Sequence, residues 1–133
     1  LLNGVIIHID SIDELNKIRT VYVSIGRKVP VNLGIRINFS MENEKRSRFG
    51  VDYDSEDLEN CLEIIRESGF NLRGIHCHHP FRRLASFKER MKKMCECCAA
   101  INFEFETALF LLLFNMCNEV FITSLKIRFK TLK

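Results

Sequence analysis

The sequence predicts an α/β domain built on a parallel sheet. Over the first hundred residues, short apolar runs rich in β-branched side chains alternate three times with amphipathic helical patterns, and no hairpin signal separates them. The length of 133 residues sets the scale at one ordinary domain. A closed (β/α)₈ barrel needs roughly 200 residues or more, so a chain of this length does not hold one.

The first strand is the run Val5-Ile6-Ile7-His8-Ile9, which reads as buried on both faces. Asp10-Ser11 comes next, and Ser11 with Glu14 forms an S-x-x-E capping box that opens a helix carrying Ile12, Leu15 and Ile18 at helical spacing. The second strand is expected over Val31 to Phe39, after Pro30. The polar stretch from Ser40 to Gly50 is longer than an ordinary βα connection, which makes it a candidate functional loop. A second helix starts near Asp54-Ser55, places Leu58, Cys61, Leu62 and Ile65 on one face, and is closed by Gly69. Leu72 to His78 is the third strand, and Pro80 ends any regular structure beyond it. Leu84 to Ala99 is the third helix, with Leu84, Phe87, Met91 and Met94 as its apolar positions and the charges between residues 82 and 93 as a solvated face.

After Ala100 the rhythm stops. Residues 100–133 form a Phe-rich and basic tail without Gly or Pro, in which Ser124 to Leu132 alternates apolar and basic side chains as an amphipathic strand would. Two segments are therefore expected: residues 1–99, and an unplaced tail from 100 onward.

Composition narrows the function. Hydrophobic content of 47% with 28% charged residues is that of a globular chain and excludes a disordered one. A net charge of +3 falls well short of a nucleic-acid footprint. The longest apolar run, Ala108 to Phe114, is far below the ~20 residues that span a bilayer, so no membrane partner is expected. Cys95, Cys97 and Cys98 lie too close together on one helix for all of them to form bridges. With no signal-peptide pattern at the start, this favours a reduced, cytoplasmic compartment. Their single-residue spacing also does not suit a zinc knuckle. Phosphate-loop, dinucleotide and nucleophile-elbow motifs do not occur.

The densest chemistry is His76-Cys77-His78-His79 at the carboxyl end of the third strand, the edge where parallel α/β sheets bind ligands. Alternation puts His76 and His78 on one face. They are read first as cofactor or substrate contacts, with a hydrogen-bonded core imidazole and a metal-dependent hydrolase as the other readings. Arg36 lies between apolar neighbours in Gly34-Ile35-Arg36-Ile37-Asn38 and must meet an anion, either a ligand or a carboxylate within the sheet, with the ligand favoured. Gly50 at the end of the long loop suits an unusual backbone angle, and Arg48 beside it is expected to face solvent.

Four segments, in order, resemble the fold-type III pyridoxal-phosphate enzymes, the group of diaminopimelate and ornithine decarboxylases and alanine racemase. They are His8-Ile9-Asp10-Ser11 with Glu14-Leu15, Leu33-Gly34-Ile35-Arg36-Ile37-Asn38, Ser47-Arg48-Phe49-Gly50-Val51, and Leu72-Arg73-Gly74-Ile75-His76-Cys77-His78. The resemblance runs from residue 4 to about residue 98. It implies about three consecutive units of a (β/α)₈ TIM-type barrel, a partial pyridoxal-phosphate-binding segment over residues 1–99. It also implies pyridoxal 5'-phosphate as cofactor, an amino-acid substrate, and a homodimer in the intact relative. By the same analogy His78 stacks on the pyridine ring, Arg36 lies near the cofactor's polar edge, and His76 supports that strand end.

The family's Schiff-base lysine in a Y-x-x-K context, its glycine-rich phosphate loop and its E-P-G-R strand do not occur in these residues, and Pro80-Phe81 stands where relatives often have Gly-Ser. No catalytic residue and no metal ligand is therefore assigned. The expectation is a piece of an amino-acid decarboxylase that is inactive alone. A racemase of the same fold type and a non-enzymatic barrel homologue are the alternatives.

Overall fold

The structure, a computed structural model, describes residues 5–27, 29–41, 46–78, 84–101, 103–105, 119–123 and 127–129, the last three segments by their backbone pairing alone. Strand β1 (Ile6–Ile9) leads into helix α1 (Ile12–Ser24), and β2 (Asn32–Asn38) is followed by the short β3 (Val51–Asp52). Helix α2 (Glu56–Ser68), β4 (Asn71–His78) and helix α3 (Leu84–Ala100) complete the repeating part. Beyond it lie β5 (Phe103–Phe105), β6 (Glu119–Thr123) and β7 (Ile127–Phe129).

The predicted parallel sheet is present. β1 pairs β2, β2 pairs β4, and β3 pairs the end of β2, all parallel, with α1 and α2 as crossovers. The predicted capping box closes as read: Ser11 Oγ accepts from Glu14 N–H at 3.3 Å while Glu14 Oε2 accepts from Asp10 N–H at 2.7 Å.

β2 and β4 are not in simple register. Leu33 faces Leu72 but Gly34 faces Gly74, so Arg73 is an extra residue in β4. The bulge shifts the alternation by one, so that Leu72 and Ile75 both face the core, with exposures of 1% each. It also puts His76 beside Arg36. The core gathers Ile9, Leu33, Ile35, Ile37, Leu72, Ile75 and Cys77 of the sheet with Leu15 of α1, Leu58, Cys61 and Ile65 of α2, and Met94, Cys97 and Cys98 of α3.

Four expectations are corrected. β1 is not buried on both faces: Val5 and Ile7 are 48% and 42% exposed, because β2 is its only neighbour among the described strands. Leu84, at the start of α3, is exposed, and the buried stripe of that helix runs through Ser86, Arg90, Met94 and Cys97 at steps of four and three. Arg90 is thus a core residue and not part of a solvated face. The sheet is not wholly parallel, since β6 pairs β4 antiparallel from Glu119 opposite His78 to Thr123 opposite Gly74. β6 begins at the carboxyl edge of the sheet, level with His78, and so runs opposite to β4.

β5 and β7 form a separate antiparallel pair. The run Ala108 to Phe114, His79, Pro80, Phe81 and most of the alternating segment 124–132 lie outside the described residues. Among the described residues no helix is long and apolar enough to cross a membrane. The five described cysteines are thiols, and burial pushes Cys61 up to about 11 and Cys97 and Cys98 up to about 12.

Candidate functional site

Alternation and register together give the sheet one apolar and one polar face. Ile9, Ile35, Ile37, Ile75 and Cys77 point to the helices. His8, Gly34, Arg36, Asn38, Gly74, His76 and His78 occupy the opposite face, with His8 level with Gly34, Gly34 with Gly74, and Arg36 with His76. Gly34 has no side chain because the His8 imidazole occupies the space: a Cβ there would lie 2.5 Å from two of its ring atoms. His8 in turn meets His76 edge to face, with ring centroids 5.6 Å apart.

The carboxyl edge of this face opens into a cavity of about 450 Å³ lined by Asp10, Arg36, Arg46, Ser47, Arg48, Phe49 and His78. Each wall has a local cause. Asp10 is the residue between β1 and the capping box, and its carboxylate holds Arg36 with Oδ2 2.9 Å from Nη1. Of the two anions considered for Arg36, the carboxylate within the sheet is thus the one it meets. Gly50, at φ 95°, turns the loop back so tightly that a Cβ would come within 2.9 Å of the Arg36 carbonyl oxygen. That turn lays the Phe49 ring between two guanidiniums, 5.3 Å from Arg36 and 5.0 Å from Arg48.

The loop end is tied down from both sides. The Asn38 side-chain amide donates to Ser47 O and to Asp52 Oδ1, each at 2.7 Å. Arg46 pairs with Asp52 and Asp54 at 3.0 Å each and donates to Ser40 Oγ. The bond to Asp54 is the chief reason that the Arg46 guanidinium is held above its ordinary value and the Asp54 carboxyl below its own. A second, polar cavity of about 260 Å³ adjoins and shares Asp10, Ser47 and Arg48.

His76 is 8% exposed, and its pKa falls to about 4. Burial is the main cause, followed by the neighbouring His8, Arg36 and His78, against which Asp10 acts weakly. The imidazole is therefore neutral at pH 7 and is a packing and hydrogen-bonding group, not a cation.

The three residues singled out from the sequence share this face. Arg36 and His78 line the cavity, and His76 lies behind it, beside Arg36. Sequence reading did not select His8, Asp10 or Phe49. The first two stand in the quoted strand end, but only the strand register tells that they meet His76 and Arg36. The long loop expected to be functional does supply Arg46 to Phe49 to the cavity wall. Among the described residues no three His, Cys, Asp or Glu side chains gather as metal ligands would.

Comparison with known proteins bears on what the cavity holds. The family model described as the pyridoxal-dependent decarboxylase, pyridoxal binding domain, matches residues 3–110. The chain belongs to this family. No curated protein matches it. The match spans all three βα units and the whole polar face, so the cofactor implied is pyridoxal phosphate.

The pyridoxal-binding domain has residues that fit it in part. A space of about 450 Å³ is within the usual range for a small-molecule site. An imidazole at a strand end offers a stacking surface, and Arg48, the one lining arginine with no carboxylate partner among the described residues, favours an anionic ligand. None of the cavity's described walls is a lysine, so these residues fit the ring and an oxyanion but not a covalent anchor.

Proposed function

We propose that this chain is the ring-binding portion of a pyridoxal-phosphate-dependent amino-acid decarboxylase of the diaminopimelate or ornithine type. In this reading its three βα units are consecutive units of the family's barrel. The observation that carries the proposal is the convergence of Arg36 and His78, from different strands, on one cavity at the carboxyl edge of the sheet. The family match favours decarboxylation over racemisation.

The chain's own residues have distinct tasks. His78, half-buried at the end of β4, presents its imidazole to the cofactor ring. Arg36 faces the ring's polar edge, and Asp10 fixes its direction through the 2.9 Å ion pair. His76 lies level with Arg36 and keeps the floor of the site filled and uncharged, held from the other side by His8. Phe49 covers Arg36 and reduces its access to water. Once bound, the cofactor supplies an electron sink for breaking the bond between the amino acid's α-carbon and its carboxylate. These residues position it and do not transfer a proton to the substrate.

The chain on its own is expected to bind the cofactor reversibly and not to turn over, because no described lysine lines the cavity. The test is equilibrium dialysis of the full 133-residue chain against pyridoxal, with borohydride reduction and mass spectrometry of the bound fraction. The expected result is binding that is lost in His78→Ala and leaves no reduced adduct on a single lysine. Binding unaffected by His78→Ala would overturn the ring assignment. A stoichiometric adduct on one lysine would overturn the account of the chain as a ring-binding portion.

A further inference from the structure

The three arginines of the cavity are not equivalent. Arg36 is engaged by Asp10 at 2.9 Å, and Arg46 is engaged by Asp52 and Asp54 at 3.0 Å each. Arg48 has no ion pair among the described residues, and its close partner is the face of Phe49, 5.0 Å from ring centroid to guanidinium carbon. It lines both the 450 Å³ cavity and the adjoining 260 Å³ cavity. Among the described residues, two of the three guanidiniums lining the larger cavity are thus neutralised by carboxylates and the third is not.

We propose that Arg48 is the oxyanion-binding group of this site and takes a phosphate or carboxylate group of the bound ligand. A guanidinium stacked on an aromatic face keeps its N–H edge free, and that edge presents a planar fork that matches two oxygens. The stack also limits the rotamers the side chain would otherwise lose on binding. The backbone beneath it is fixed by Asn38 on Ser47 O, by Phe49 N–H on Ser47 Oγ, and by the turn at Gly50. Arg48 is therefore oriented before any ligand arrives, although it is exposed.

Two ligands bring this chemistry to the cavity: the cofactor, through its phosphate, and an amino acid, through its carboxylate. The identity of the cavity rests on the cofactor-site reading above. The oxyanion chemistry rests on the ion pairing alone, so the two can fail separately.

The experiment measures dissociation constants of pyridoxal 5'-phosphate and pyridoxal by equilibrium dialysis, and of inorganic phosphate and acetate by NMR titration. The proteins are the full chain, Arg48→Gln, Arg48→Lys and Phe49→Leu, all at low ionic strength. If the phosphate is the partner, Arg48→Gln weakens pyridoxal 5'-phosphate and inorganic phosphate by about tenfold and leaves pyridoxal unchanged. If a carboxylate is the partner, the same variant weakens acetate and leaves both pyridoxal forms alike. In either case Arg48→Lys and Phe49→Leu fall between wild type and Arg48→Gln, and about 1 M salt removes the difference. Arg48→Gln binding all four probes as wild type does, or no probe binding in an Arg48-dependent way, overturns the proposal. Loss of both pyridoxal forms from the wild-type chain, with phosphate or acetate still dependent on Arg48, supports Arg48 as the oxyanion group and overturns the cofactor-site reading instead.

Discussion

His76 is where the site's electrostatics can be measured most directly. In the unfolded chain its imidazole takes up a proton near pH 6.5, and in the fold only near pH 4. Between those values the unfolded chain holds a proton that the folded chain refuses, so lowering the pH favours unfolding. The contribution of His76 is complete above pH 6.5 and is lost as the pH falls to 4. The slope is at most about 1.4 kcal/mol per pH unit, and the total no more than about 3.5 kcal/mol. Urea unfolding of wild type and His76→Gln between about pH 7 and pH 4 checks this. The two stability curves should converge on acidification, and parallel curves would sink the assignment. Gly34→Ala tests the other neighbour of His76. A methyl group there would occupy the position of the His8 ring, which can swing outward because His8 is exposed. Relief of glycine's entropy cost offsets most of the crowding, so stability should change by less than about 1 kcal/mol. The His8–His76 ring contact should nevertheless be lost, which NMR of the wild type and the variant would check. Arg36, His76 and His78 were legible in the sequence because a cation and two imidazoles in apolar strands demand an explanation. His8 was not, since its partner lies two strands away and is reached over a glycine.

At the scale of elements, the decisive feature is the bulge at Arg73, which brings the histidines of β4 onto the face that carries Arg36. Strand positions, helix starts and the capping box could be read from period and turn chemistry. The bulge could not, because an extra residue leaves no mark of its own in so short a strand. The antiparallel β6 escaped for a related reason: the sequence after Ala100 has no Gly or Pro to mark where the chain reverses. The loop from Arg46 to Asp52 is the element whose disturbance should matter most to the site. Its turn depends on Gly50, where φ is 95° and the nearest obstacle to a Cβ is the backbone of Arg36 itself. Backbone cannot step aside as a side chain can. Gly50→Ala should therefore cost about 1–3 kcal/mol in thermal or urea unfolding and loosen Arg48 and Phe49 over the cavity. Gly50→Ala with wild-type stability would mean that the loop does not hold this turn in solution.

At the scale of the whole molecule, the sheet has more apolar surface than its described neighbours cover. Among the described strands β1 pairs only β2, and Ile7 and the preceding Val5 are 42% and 48% exposed. Val21, Val23 and Ile25, at the end of α1 and just beyond it, are between 43% and 59% exposed. A parallel sheet normally has both faces and both edges covered, so a βα repeat with a bare edge strand is a template for pairing with another chain. The 133-residue chain on its own should consequently self-associate as its concentration rises. Ile7→Lys puts a charge at the exposed start of the strand, on the same face as Ile9 but two residues before it, where the core is not yet closed. In sedimentation velocity over a dilution series, wild type should shift to larger species and Ile7→Lys should remain at the monomer position, with circular dichroism unchanged between them. If both stay monomeric at the highest concentration, the edge of β1 is protected by other parts of the chain. If both associate alike, the sticky surface lies elsewhere, and the apolar end of α1 becomes the surface to charge next.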